Sequence, residues 1–202
     1  DQELMSLEEM TSLFDLSKCS KNGAKFDYVK AAWFNHQYLL RQAESEWVPS
    51  FDSLLRKQGI TATPEQEEAV VRMMKLKVIE YVDAQGNKHK RNISFVSDLW
   101  PLTRFFFQAP EGFDAEDKFI RKNWKETTAE EMRQLAALLS EVEDFTIEAV
   151  DAWSETTGLR PWNAWRICLV GAGQGPDMYE LASFLGKTET LARMNFAIET
   201  LG

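Results

Sequence analysis

The stretch Ile167 to Gly175, ICLVGAGQG, looks like a strand entering a glycine loop of the kind that cradles phosphate. A dinucleotide fingerprint needs G-x-G-x-x-G, a crossover to a second strand, and an acid about 20 residues further on. Here the spacing is G-x-G-x-G, Pro176 follows at once, and only sequence for two short helices remains. A tight glycine turn that lets backbone approach another group fits better. Cys19 has no base at a readable spacing to activate it, and Cys168 lies in an apolar run suited to a core. His36, between Asn35 and Gln37, fits a structural hydrogen-bonding role. With only these two cysteines and a second histidine, His89, neither a disulfide scaffold nor a structural zinc site is expected. No catalytic acid–base pair emerges, and no catalytic, cofactor-binding or metal-ligating residue is assigned.

The elements around these residues belong to a folded chain. Of 202 residues, 44% are hydrophobic and 27% charged, enough apolar surface for one large or two small domains. No apolar run approaches the roughly 20 residues that span a bilayer, and no signal peptide opens the chain. A soluble, reducing-compartment protein is expected, located in the cytoplasm. The first residue is Asp1 and not Met, which suggests a fragment of something longer. A net charge of −9 argues against a non-specific nucleic-acid coat, but the charge is segregated. Arg72 to Arg91 carries six basic residues against Glu80 and Asp83, whereas Thr127 to Thr157 carries eight acids against Arg133 alone. Solvated helix faces are the plain alternative to a binding role for either stretch.

Helical signals run almost throughout. Ser6 with Glu9 forms a capping box, and Asp27 can cap a helix holding Tyr28 to Leu39. Thr63-Pro64-Glu65 is a strong helix start, followed by Val70, Met73, Met74, Leu76 and Val78, with a turn at Asp83 to Asn87. A further helix is expected after Arg91, with Phe95, Leu99 and Leu102 at helical spacing and Pro101 kinking or shortening it. Thr127 and Thr128, each with a glutamate three residues on, announce a long helix. A second piece through Phe145, Ala149, Val150 and Trp153 stops at Gly158. Met178 to Leu185 should form a helix closed by Gly186, before a last helix striped by Leu191, Met194, Ile198 and Leu201. The fold class is all-α, with joints near Gly86 and Thr127.

Two separated stretches resemble one family. Residues 14 to 41, FDLSKCSKNGAKFDYVKAAWFNHQYLLR, resemble the segment of bacterial glutamyl-tRNA synthetases that follows their lysine-serine signature loop. Phe26, Asp27, Lys30, Trp33, Asn35 and Tyr38 fill that family's F-D-x-x-K-x-x-W-x-N-x-x-Y pattern. The run Lys18 to Lys21 then looks like the turn just downstream of the signature loop. Toward the end, Arg166, Gly171, Gly175-Pro176, Leu185-Gly186-Lys187, Leu191 and Arg193 are similar to that family's P-L-R-x-A-L-x-G and L-x-L-L-G-K-x-x-x-L-x-R patterns. The match is weaker between residues 42 and 125.

The resemblance implies the C-terminal half of an enzyme that joins glutamate to its tRNA using ATP and magnesium, the catalytic half being elsewhere. It implies helical anticodon-binding domains forming an α-helical cage, preceded by the end of a stem-contact region: residues 1–62, 63–126 and 127–202. Arg91 aligns with an arginine that reads the first anticodon base, and Arg166 with one that contacts the third. Gly175, Pro176 and Met178 fall where the family wraps the second base with threonine-proline-x-leucine; Gly175 and Met178 depart from that pattern. Lys30, Asn35, Lys88 and Lys90 are candidate contacts to the tRNA stem or backbone, while the acidic Thr127–Thr157 helices should face away. The partner implied is glutamate tRNA, with no DNA and no membrane, and the chain is expected to be a monomer. Other roles stand beside these: Arg166 paired with Asp151 or Glu155, Arg91 neutralising charge at a turn, Met178 in the core. A helical protein-interaction module without RNA binding is the alternative function.

Overall fold

In the computed structural model, residues 3–19, 23, 25–82, 85–142 and 147–202 are described. Local chemistry starts most of the helices. Ser6 and Glu9 close the expected capping box on α1 (Leu7–Leu13), which buries none of its residues. Asp27 accepts from the amides of Val29 and Lys30 to cap α2 (Tyr28–Arg41). α3 (Glu44–Lys57) buries Trp47, Phe51 and Leu55 on one face, and α4 (Pro64–Met74) packs against it after a Thr63–Gln66 capping box. Lys75 and Glu44 tie the two together at 2.5 Å with both side chains largely covered.

The expected continuation of α4 through Leu76 and Val78 is corrected here. The helix ends at Met74, and Val78–Val82 forms strand β1, antiparallel to β2 (Lys88–Asn92), with Glu80 opposite Lys90 and Ile79 opposite Arg91. Val78, Ile79, Tyr81 and Val82 suit a pleated strand, and Gly86 supplies a positive φ of 86° in the connecting turn. Asp83 and Ala84 of the expected turn lie outside the described residues. No helix follows Arg91 directly: a 3-10 turn spans Val96–Leu99, then α5 (Trp100–Phe107) begins. Pro101 sits in the first turn of α5, where its missing N–H costs nothing, so it starts the helix and does not kink it.

α6 (Lys118–Asn123) is capped by Asp117, and α7 (Thr128–Glu141) buries Met132, Leu135 and Leu139. α8 (Ile147–Thr157) runs to the expected stop at Gly158; Phe145 lies outside the described residues. The strand-like run before the glycine loop is instead helix α9 (Trp162–Val170). The last helix, α10 (Met178–Leu201), breaks at Gly186 (φ 74°, ψ 170°) into the two expected pieces. Among the described residues the molecule is thus all-α apart from one hairpin, and no helix is long and apolar enough to cross a membrane.

One core runs from Trp47 to Ile198 and crosses both expected joints. α10 packs on α7 and α9, and α5 bridges α4 and α10. Arg193, 3% exposed, locks this junction: Nη1 donates to the carbonyls of Phe105 (2.7 Å) and Leu169 (3.1 Å), while Nε meets Glu189 at 2.8 Å. One guanidinium thus satisfies carbonyls in the last turns of two helices, whose negative ends favour a cation. Burial lowers the Arg193 pKa, and the bond it donates to Glu189 opposes that shift. The clamp fixes the end of α9, where the glycine loop begins.

Candidate nucleic-acid interface

Arg166 and Val170 lie one helical turn apart on α9, and the chain reverses immediately after them. Gly171 makes the reversal with φ 70°, and a Cβ there would lie 3.2 Å from Pro110. At Gly173 a Cβ would lie 2.8 Å from the ring of Phe119, so only glycine lets the loop pack this closely. The loop ends at Asp177, whose carboxylate caps α10 by accepting from the amides of Tyr179 and Glu180.

Arg166 is half-buried beside this loop and donates from Nη1 to the Pro176 carbonyl at 2.9 Å. Burial lowers its pKa, and the charge of Asp177 works the other way. Neither Asp151 nor Glu155 pairs with it, and its other N–H groups have no partner among the described residues. Gly175 is exposed, whereas Pro176 is buried and Met178 is 5% exposed within the core. The expected base contact by the Met178 side chain is therefore corrected: apolar neighbours cover it, and it anchors the loop from beneath. Tyr179 is held up to about 12 by burial and by Asp151, Asp177 and Glu148. Acids of α8 thus act within three residues of Pro176, so the acidic stretch does not all face away from the loop.

The hairpin meets the same loop by one face. Lys90 pairs with Glu80 at 3.0 Å, and Lys90, then the Gln174 side chain and Lys88 nearby, hold the Glu80 carboxyl below its ordinary pKa. Lys88 and Lys90 are exposed there. Strand alternation sends Arg91 to the opposite face. Its fork is engaged by Asp98, Nη1 to Oδ2 at 2.5 Å and Nη2 to Oδ1 at 2.7 Å, while Asp98 also accepts from the amides of Ser94 and Phe95. Tyr81 and Phe95 rings flank the guanidinium at 5.5 and 5.4 Å. The hairpin thus brings Lys88 and Lys90 toward the Arg166 loop, and Arg91 away from it. Near the start of the chain, Lys30 is exposed and pairs with Glu3 at 3.1 Å, and the Asn35 amide donates to the Ser94 carbonyl. Asp98 and Arg193 escaped the sequence reading as partners; the acid three residues after Phe95, at the head of a turn, was the available signal for the first.

A half-buried guanidinium beside a glycine-proline loop and exposed lysines on an adjacent hairpin are thus held on a helical frame. A family model described as anticodon binding domain matches residues 62–198, and the chain belongs to that family. It is 42% identical over its whole length to the glutamate–tRNA ligase of Bacteroides fragilis and 40% to that of Parabacteroides distasonis. It spans 38% of the length of each of these relatives, at their C-terminal end. A crystal structure of a glutamate tRNA ligase from Elizabethkingia meningosepticum superposes with a TM-score of 0.82 at 33% identity, covering 100% of this chain and 38% of that one. The glutamate–tRNA synthetase of Elizabethkingia anophelis gives 0.78 at 32%, covering 98% and 37%.

Proposed function

We propose that this chain grips the anticodon arm of glutamate tRNA, as the C-terminal part of a cytoplasmic glutamate–tRNA ligase. ATP, magnesium and glutamate would be handled by the part of that protein outside this sequence. The observation that carries the reading is the anticodon-binding match over residues 62–198 around a guanidinium with free donors at an exposed glycine. Unstacked anticodon bases offer edges that an arginine fork can read in pairs, and backbone beside Gly175 can approach a base without a side chain in the way. In this reading Arg166 meets the third anticodon base, the backbone at the exposed Gly175 meets the second, and the buried Pro176 fixes the bend between them. Met178 supports the loop, and Lys30, Lys88 and Lys90 neutralise phosphates. Arg91 and Asn35 act as positioning residues, because Asp98 and Ser94 hold them.

The test is equilibrium binding of the 202-residue chain to glutamate and glutamine tRNA over a salt series. Arg166→Ala should weaken cognate binding by about 1–3 kcal/mol and flatten discrimination at the third anticodon base. Lys90→Ala should weaken all tRNAs alike and reduce the salt slope by about 1. Unchanged cognate affinity in a folded Arg166→Ala protein would remove the assignment.

A further inference from the structure

Between α2 and the hairpin lies a cleft of about 500 Å³, well within the range of small-molecule sites. Ala32 and Trp33 form one side, and Tyr81, Arg91 and Phe95 the other. Among the last three, the Arg91 guanidinium is held by Asp98 and has the Tyr81 and Phe95 rings at 5.5 and 5.4 Å. Trp33 and Phe95 are 41% and 45% exposed, so part of each ring face is open to a ligand in the cleft.

His36 lines the cleft and is only 6% exposed. Its Nδ1 lies 2.7 Å from the Ile93 carbonyl, and a carbonyl only accepts, so Nδ1 carries the proton. Nε2 then presents a lone pair, and no donor reaches it among the described residues. The atom opens on the cleft, where water can serve it, so a ligand that displaces that water without loss of affinity must bring a donor of its own.

We propose that this cleft binds a single unpaired nucleobase. The base lies against the Trp33 and Phe95 rings, and a ring N–H or exocyclic amine donates to His36 Nε2. Every base offers both a π-face and such a donor, whereas an apolar peptide side chain would leave His36 unsatisfied. Lys90, exposed on β2, also lines the cleft and favours the phosphate that accompanies the base. The base comes either from an extruded residue of the bound RNA, an arm that rests on the function proposed above, or from a free nucleotide.

Ala32→Leu fills the cleft while keeping the His36–Ile93 and Arg91–Asp98 contacts, and Trp33→Ala removes the stacking ring. Both are measured in the 202-residue chain, with Arg166→Ala alongside. The ligands are a glutamate tRNA transcript over a salt series and the four nucleoside 5′-monophosphates by calorimetry. If the base belongs to the RNA, each cleft variant weakens tRNA binding about 5- to 150-fold, the equivalent of one stacked base, with the salt slope unchanged. If the source is a free nucleotide, a monophosphate binds the parent chain and not the variants, and tRNA affinity stays put. Parent-like affinities for both ligands in both folded variants overturn the cleft. When Arg166→Ala alone weakens tRNA binding and no monophosphate binds the parent chain, the cleft falls and the anticodon reading stands. Nucleotide binding that disappears in the variants of a chain that binds no tRNA upholds the cleft and removes the anticodon reading.

Discussion

Arg91 and Arg166 carry the same side chain and end in opposite conditions. The Arg91 fork is filled at both prongs by a carboxylate of its own fold and flanked by two rings. Arg166 makes a single bond, to a carbonyl at the rim of a glycine loop. Strand β2 delivers Arg91 to a face where Asp98 already orders a turn, whereas α9 delivers Arg166 to a loop where no acid among the described residues bonds it. In the function proposed above, Arg166 is the reader because its neighbours leave donors unpaired, and Arg91 the fastener because Asp98 takes both of its prongs. The contrast can be broken at several points.

The largest effect should come from removing the fastener's partner. Asp98→Ala strands a half-buried guanidinium and frees the amides of Ser94 and Phe95, which should cost about 3 kcal/mol in urea unfolding. A midpoint shift equivalent to less than about 0.5 kcal/mol would mean that the pair behaves as an ordinary surface contact.

How much of this was readable in the sequence divides along the same line. The caps at Ser6, Asp27 and Thr63 were legible because a helix start is set by residues within four positions of each other. The hairpin was not: Val70, Met74 and Val78 keep a spacing of four straight through the end of α4, and five residues of alternation are too few to outvote it. α9 resembled a strand because nearly every residue from Ala164 to Val170 is covered, and a helix buried on all sides shows no period. At the site, family patterns located Arg166 and the loop. They had nothing to say about Asp98, which engages Arg91 only after the chain has turned through the hairpin's end and into Val96–Leu99.

Gly173 tests whether the reader depends on the exact path of its loop. Gly173→Ala drives a methyl into the Phe119 ring and should destabilise by about 1–3 kcal/mol. Because Arg166 bonds the loop three residues on, tRNA affinity should fall further than the loss of folded protein explains. If affinity merely follows the folded fraction, the loop's path does not matter to recognition.

Glu67 extends the contrast to an acid with an incomplete partner. It is 2% exposed on α4, against Asp52 and Arg56 of α3, and one of its oxygens has no hydrogen bond among the described residues. Burial, then the Asp52 charge, raises its pKa from 4.5 to about 6. The folded state therefore holds this proton longer than the unfolded chain does. The stability it confers is complete below about pH 4.5 and disappears as pH rises through about 6, a difference of roughly 1–2 kcal/mol. Glu67→Gln should leave stability higher than the parent at pH 7.5 and similar to it at pH 4; equal stability at both values would dissociate the group from folding.

The smallest effect on folding should fall where the effect on recognition is largest. Arg166→Ala removes one hydrogen bond from a half-buried side chain that is not part of any buried ion pair, so stability should drop by no more than about 1 kcal/mol. Arg91→Ala should do the reverse, costing more in folding than Arg166→Ala and, at equal folded fraction, less in tRNA discrimination. The ratio of the two losses, measured on both variants by urea titration and by tRNA binding, separates reader from fastener more sharply than either loss alone. If Arg91→Ala blurs the choice between glutamate and glutamine tRNA while barely touching stability, then Asp98 releases the fork when RNA arrives. The arrangement at the hairpin would then be the resting state of a second reader.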